Sequence, residues 1–175
     1  MDKPSFKPAV EIGLISLMVS TVFLISAYVF DLSLLTSFGA GIVIIVIRAV
    51  LLALSPIQVR KKAGGYISFK HAFSAVVIST LVSSIPYLII AFLLFKVIDP
   101  DAAVQMKELT IQATADSMQS WGVDQATIDQ SIEEIDKTDQ YSFGSLFKGL
   151  LTSVIVAALY GLIVAAIVKK NPEFE

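Results

Sequence analysis

The chain has 175 residues, 55% apolar and 16% charged, and its formal net charge is −2. Soluble domains carry about 25% charged residues, so the deficit points to lipid as the solvent. The lack of cysteine excludes disulfides, thiolate nucleophiles and cysteine metal sites, and one histidine, His71, falls short of the ligand set of a structural zinc.

The elements follow in chain order. Met1–Pro8 is a short polar leader. Ala9–Phe30 is the first of four apolar runs, the others being Leu34–Leu54, Phe73–Ile98 and Phe147–Val168. Twenty-two helical residues reach about 33 Å against a hydrocarbon core of about 30 Å, so each run is long enough to span a bilayer. The first run exceeds the h-region of a signal peptide and is read as a retained helix. Asp31-Leu32-Ser33 is a tight turn, which makes spans 1 and 2 antiparallel neighbours. Ser55-Pro56 is expected to end span 2, because proline disfavours helix at the residue before it. Gly64-Gly65 is a turn, and Ser68 is the N-cap of the helix that becomes span 3. Pro86 near the middle of that span predicts a kink. Ser79, Thr80, Ser83 and Ser84 just before it supply hydroxyls for freed carbonyls or for a neighbouring helix.

Asp99-Pro100 is a helix start and Asp124 a second N-cap. Val104 and Leu109, then Ile128, Ile132 and Ile135, recur at helical spacing on otherwise polar segments. They predict a hairpin of Asp101–Ser120 and Gln125–Lys137, turned at Gly122, within an extramembrane segment 99–141. Helices this short need a partner for their apolar stripes: each other, the bilayer surface or another protein. Trp121 is an interfacial anchor or, the reading preferred, the cap of that small core. In span 4, Gly149, Ser153, Ala157, Gly161 and Ala165 form a ridge of small residues that lets another helix approach closely. Packing inside the four-helix bundle is the simpler use of it, since every span offers such a stripe; a homodimer face is the alternative. Lys169-Lys170-Asn171-Pro172 closes the helix.

Charge sorts the connections. The segment Asp99–Lys148 holds ten acids and three lysines, a balance of −7, and the rest of the chain carries +5. Lys3 and Lys7, the loop with Arg60, Lys61, Lys62 and Lys70, and Lys169 and Lys170 all fall on one side of an antiparallel bundle. The positive-inside rule puts that side, with both termini, in the cytoplasm and the acidic hairpin outside. The basic cluster is juxtamembrane, so nucleic acid is not an expected partner. Arg48 is the deepest charge, about 9 Å from the expected inner end of span 2. Glu11 lies near the inner end of the neighbouring span, and an ion pair between them and independent snorkelling are the two readings. No run carries a charge at its midpoint on these boundaries. No nucleophile and base, metal motif, phosphate loop or dinucleotide fingerprint is present, so neither a catalytic residue nor a cofactor is expected.

The stretch GGYISFKHAF at Gly64–Phe73, the FKVIDPD segment, the GVDQATIDQSIEEI hairpin and the last span ending in KK-x-P together resemble a family of bacterial four-helix membrane proteins, mainly from Bacteroidetes, classed as a domain of unknown function. The resemblance covers nearly the whole chain. It implies four spans and an inner-membrane location, and it supplies no activity, cofactor or site residue. Family members often have an acidic residue where this chain has His71, which would complete a capping box with Ser68. The sequence as a whole reads as an all-α, four-span membrane bundle with an extracytoplasmic hairpin. Lipid surrounds it, and a periplasmic or membrane protein, or a second copy, is the partner to expect. An interaction or assembly role leads, ahead of a transporter or channel with Pro86 and the span 3 serines lining a path, and of an intramembrane enzyme.

Overall fold

A computed structural model describes residues 5–170; the charge at Lys3 and the Asn171-Pro172 stop lie outside them. Six α-helices follow in order: α1 (Lys7–Phe30), α2 (Phe38–Lys62), α3 (Phe69–Phe92), α4 (Pro100–Ser120), α5 (Gln125–Lys137) and α6 (Phe143–Val168). A π-helical segment, Leu93–Ile98, prolongs α3. Four helices are long and apolar enough to cross a membrane, 24 to 30 residues each with mean hydropathy of 2.2 to 2.5. At helical rise they measure about 36–45 Å and overshoot the hydrocarbon on at least one side.

α3 is the central post, with α1, α2 and α6 packed around it. In lipid there is no hydrophobic drive between helices, so close approach of small residues does the work. On α1 the buried face is Ala9, Ile12, Gly13, Ser16, Ser20, Leu24 and Ala27, a stripe at three- and four-residue steps. Its tightest point is Gly13. A Cβ there would lie 2.8 Å from the backbone oxygen of Ser79 and from Val82 Cβ. One hydrogen-bonded knot ties three helices together. Ser79 Oγ donates to Ala9 O at 2.7 Å and lies 2.7 Å from Ser55 Oγ, which donates to Ala75 O at 3.0 Å.

Two span boundaries differ from expectation. Span 2 does not end at Ser55-Pro56. The helix runs through both to Lys62, and both residues are buried. Proline costs a backbone bond, but here Ser55 is bonded across to α3, and the following turns seat Val59 in the core with Ala9, Ile67 and Val168. At the other end the tight turn is longer than three residues. Leu32–Leu35 coils as a 3₁₀ turn, with the Asp31 carboxylate accepting from Ser33 N–H, and α2 begins only at Phe38. Span 2 is therefore displaced along the chain from the expected Leu34–Leu54. Helix α3 passes through Pro86 without interruption. Ser83 and Thr80 hydroxyls fold back onto Thr80 O and Val76 O within the helix.

The basic side of the bundle is latched. Ile67 and Lys170 exchange both backbone hydrogen bonds at 2.9 Å, and Arg60 Nη1 donates to Val168 O at 3.0 Å, satisfying a carbonyl at the end of α6. Gly64 and Gly65 both take positive φ, 77° and 93°, in the turn before it. Ser68 caps α3 as its position suggests. Its Oγ accepts from His71 N–H and lies 2.9 Å from His71 Nδ1, a contact between the two side chains that leaves the return bond of a capping box, to the Ser68 N–H, unmade.

Candidate functional site

The hairpin at the opposite end forms as the punctuation predicts. The Asp99 carboxylate accepts from Ala102 N–H at 3.0 Å with Pro100 in the first turn, Gly122 turns the chain at φ 75°, and Asp124 accepts from Thr127 N–H at 3.0 Å. Each such cap contributes about 1 kcal/mol to a helix of this kind. The helix amides and hydroxyls that serve these carboxylates also shift them. The Ala102 amide, and after it the Tyr28 hydroxyl, hold Asp99 below the usual carboxylate value; the Thr127 hydroxyl and amide do the same for Asp124.

The hairpin is fastened to the bundle rather than tethered to it. Tyr28 of α1 donates to Asp99 Oδ2 at 2.8 Å. Lys96 of the π segment pairs with Asp139, while Lys107 and Asp136, 3.2 Å apart, join α4 to α5 within the hairpin. The Lys96 ammonium keeps Asp139 ionised well into the acid range. Ala102 and Met106 of α4 are buried in one cluster with Leu24, Ala91, Leu94 and Phe95 from the spans, and Leu109 packs against it. The π segment puts Leu94 and Phe95 into that cluster, and the Phe95 ring stacks on Tyr141 with centroids 4.4 Å apart. Nothing in the sequence announces the π segment.

The predicted hairpin residues divide. Ile128 is 3% exposed, and Ile132 and Ile135 are half-buried, so the α5 stripe packs inward. Val104 does not belong to the hairpin core: it is 58% exposed, because the inward face of α4 is set by Ala102 and Met106. Trp121 does not cap that core either. It is 72% exposed at the tip of the hairpin.

The predicted ion pair is not formed. Glu11 reaches Lys62 instead, at 3.7 Å on a half-exposed surface where such a pair contributes little. The reason is the true extent of α2. With the helix running Phe38–Lys62, Arg48 lies near its middle, and the expectation that no charge stands at a midpoint fails. Arg48 lines a cavity of about 380 Å³ between α1, α2 and α3, closed at the hairpin side by Met106, Tyr141 and Leu146. Ser20, Tyr87 and Tyr141 line the same space. Among the described residues Arg48 forms neither an ion pair nor a hydrogen bond. Ser20 was legible only as part of a small-residue stripe, and the two tyrosines carried no periodic signal.

The small ridge of α6 serves unequally. Ala157, Gly161 and Ala165 are buried, Ser153 is half-buried and Gly149 is exposed. Towards the hairpin α3 and α6 part around an apolar groove of about 250 Å³, lined by Ile85, Leu88, Ile89 and Phe92 on one side and Phe143, Leu146, Phe147 and Leu150 on the other.

A family model described as "Protein of unknown function (DUF4199)" matches residues 11–170, so all four spans and the hairpin fall within it. No curated protein and no solved structure matches the chain. Four apolar helices of this length make the molecule a multi-pass integral membrane protein.

Proposed function

Since the chain belongs to this family, which brings no activity with it, we propose that the protein acts by binding rather than catalysis: an interaction or assembly protein of the bacterial inner membrane, with the acidic hairpin as its docking element. The observation that carries the reading is Trp121, 72% exposed at the tip of a hairpin that is otherwise fastened down by one ion pair, the Tyr28–Asp99 hydrogen bond and a shared core. A large aromatic side chain left in the open on a rigid support is the kind of anchor that binding surfaces use. Along the hairpin Asp116, Asp129 and Glu134 are exposed and outside its ion pairs, so the partner that fits is a periplasmic or membrane protein with a basic face. The basic residues at the other end support cytoplasmic termini, with the hairpin in the periplasm.

A transporter or channel is the competing reading. The span 3 serines speak against it, because Ser79 and Ser83 are buried in bonded contacts rather than beside a water path. The deciding experiment places a photo-cross-linking amino acid at Trp121 in native membranes, with Ile163 on the lipid-facing side of α6 as the control. A discrete adduct at position 121, absent at 163 and lost when 100–137 is replaced by a short linker in a chain that still inserts, is the expected result. Equal labelling at both positions would remove the docking role.

A further inference from the structure

Arg48 stands where a charge is most costly. Ser20 lies ten residues from the hairpin-side end of α1, Arg48 ten from that of α2, and Tyr87 eleven from Ile98. At helical rise all three sit about 15 Å from those ends, near the middle of a hydrocarbon layer about 30 Å thick. An ionisable residue at that depth faces a cavity or a partner, and this one faces a cavity. The groups that meet there have one chemical sense. Arg48 supplies a positive charge with five N–H donors, and Tyr87, Tyr141 and Ser20 supply hydroxyls. No carboxylate is among the lining residues. Burial pushes the Tyr141 phenol up, so it remains a neutral donor. Ser20 is 6% exposed, and its Oγ has no hydrogen-bond partner among the described residues. An orphaned hydroxyl and an unpaired guanidinium on the wall of one half-open cavity are what a bound group would satisfy. The remaining walls, Phe23, Leu24, Ile44, Leu88, Ala91 and Phe95, are apolar, and a volume of about 380 Å³ falls in the range of small-molecule sites.

We propose that this cavity binds the oxyanion head of an amphiphile, a carboxylate or phosphate held by Arg48 and received by Ser20, Tyr87 and Tyr141, with the tail along the apolar walls. The same oxyanion chemistry has a second source in a free inorganic anion, which would leave those walls unused. The inference does not depend on the hairpin's docking role.

The test uses the full chain in phosphatidylcholine nanodiscs with a fluorescent long-chain fatty acid as probe. Saturable binding is expected, displaced by unlabelled fatty acid or by phosphatidylglycerol but not by the fatty alcohol of the same length. Arg48→Gln should weaken binding about tenfold or more, and Arg48→Lys, which keeps the charge, should retain part of it. Ser20→Leu keeps the charge but fills the space, and should weaken binding even if Arg48→Gln yields no folded protein. Equal binding by Arg48→Gln and the parent, equal displacement by acid and alcohol, or no effect of Ser20→Leu would each overturn the proposal. Displacement by millimolar inorganic phosphate as effective as by fatty acid would overturn the amphiphile assignment.

Discussion

The two halves of the bundle are built from the same helices and pack differently. At the end that carries the termini, Gly161 of α6 lies against Phe73 and Val76 of α3, a Cβ there would meet them at 3.4 Å, and Ala72, Ala75, Val164 and Ala165 complete a close contact. At the hairpin end the same four-residue ridge continues to Gly149, which touches nothing, and Ile85, Ile89 and Phe92 face Phe143 and Phe147 across a groove. A run of small residues therefore draws helices together where the opposing helix also offers small residues beside the contact, here Ala72 and Ala75. Bulky side chains on α3 after Pro86 hold α6 away. The cavity that Arg48 lines opens toward the hairpin half, where Met106 and Tyr141 reach it.

The largest expected effect comes from removing that charge. Arg48→Leu should favour membrane insertion of α2 by about 3 kcal/mol, the cost that insertion scales assign to arginine at mid-membrane, measured as the inserted fraction of that helix. No gain would mean that Arg48 snorkels out of the hydrocarbon. The remaining variants are read by unfolding in detergent. Next come the glycines. Gly13→Leu and Gly161→Leu should destabilise by roughly 1–3 kcal/mol, the former more because a backbone oxygen stands in the way, whereas Gly149→Leu should stay within about 0.5 kcal/mol. Equal effects at positions 149 and 161 would erase the distinction between the halves. Ser79→Ala, which unties the three-helix knot, should cost about 0.6 kcal/mol, the mean for such bonds in membrane bundles, measured by the same unfolding assay.

The smallest effect is on pH. Asp99, Asp124 and Asp139 all have folded values below the ordinary 3.8, so their contribution is complete above about that pH and fades as pH falls through the folded values. Hydrogen-exchange protection factors, relative to the intrinsic rate at each pH, should be unchanged in the first turns of α4 and α5 from neutrality down to about pH 5 and should fall only below about pH 4. The termini half, which has no such caps, should not respond.

Much of this architecture was legible because its signals are local. Asp99-Pro100, Gly122 and Asp124 set the hairpin, since a cap, a fixed φ and a positive φ are properties of one or two residues. Ser55-Pro56 misled for the opposite reason: the helix survives there through a bond to Ala75, twenty residues away. That single boundary moved Arg48 from the flank of span 2 to its middle, and so hid the cavity. Val104 was misassigned because a loose stripe on α4 does not say which of two adjacent faces meets the spans, and Ala102 and Met106 took that place. For Trp121 the cap of the small core was preferred to an interfacial anchor because an exposed tryptophan needs a partner, and no local signal says that the partner lies outside the chain. The Tyr87 and Tyr141 pair depends on α3 and a distant loop meeting at one level, which only the assembled bundle decides.

The antiparallel bridge between Ile67 and Lys170 also fixes an order of events. One half of it exists as soon as the second connecting loop is synthesised, and its mate is translated only after α6. Helices α1 to α3 can assemble around their own contacts while the ribosome is still at work, but the ring around α3 is clasped only after α6 has been inserted. Closure of the bundle thus waits on α6, and a nascent chain stalled before that helix would present an open bundle to the membrane.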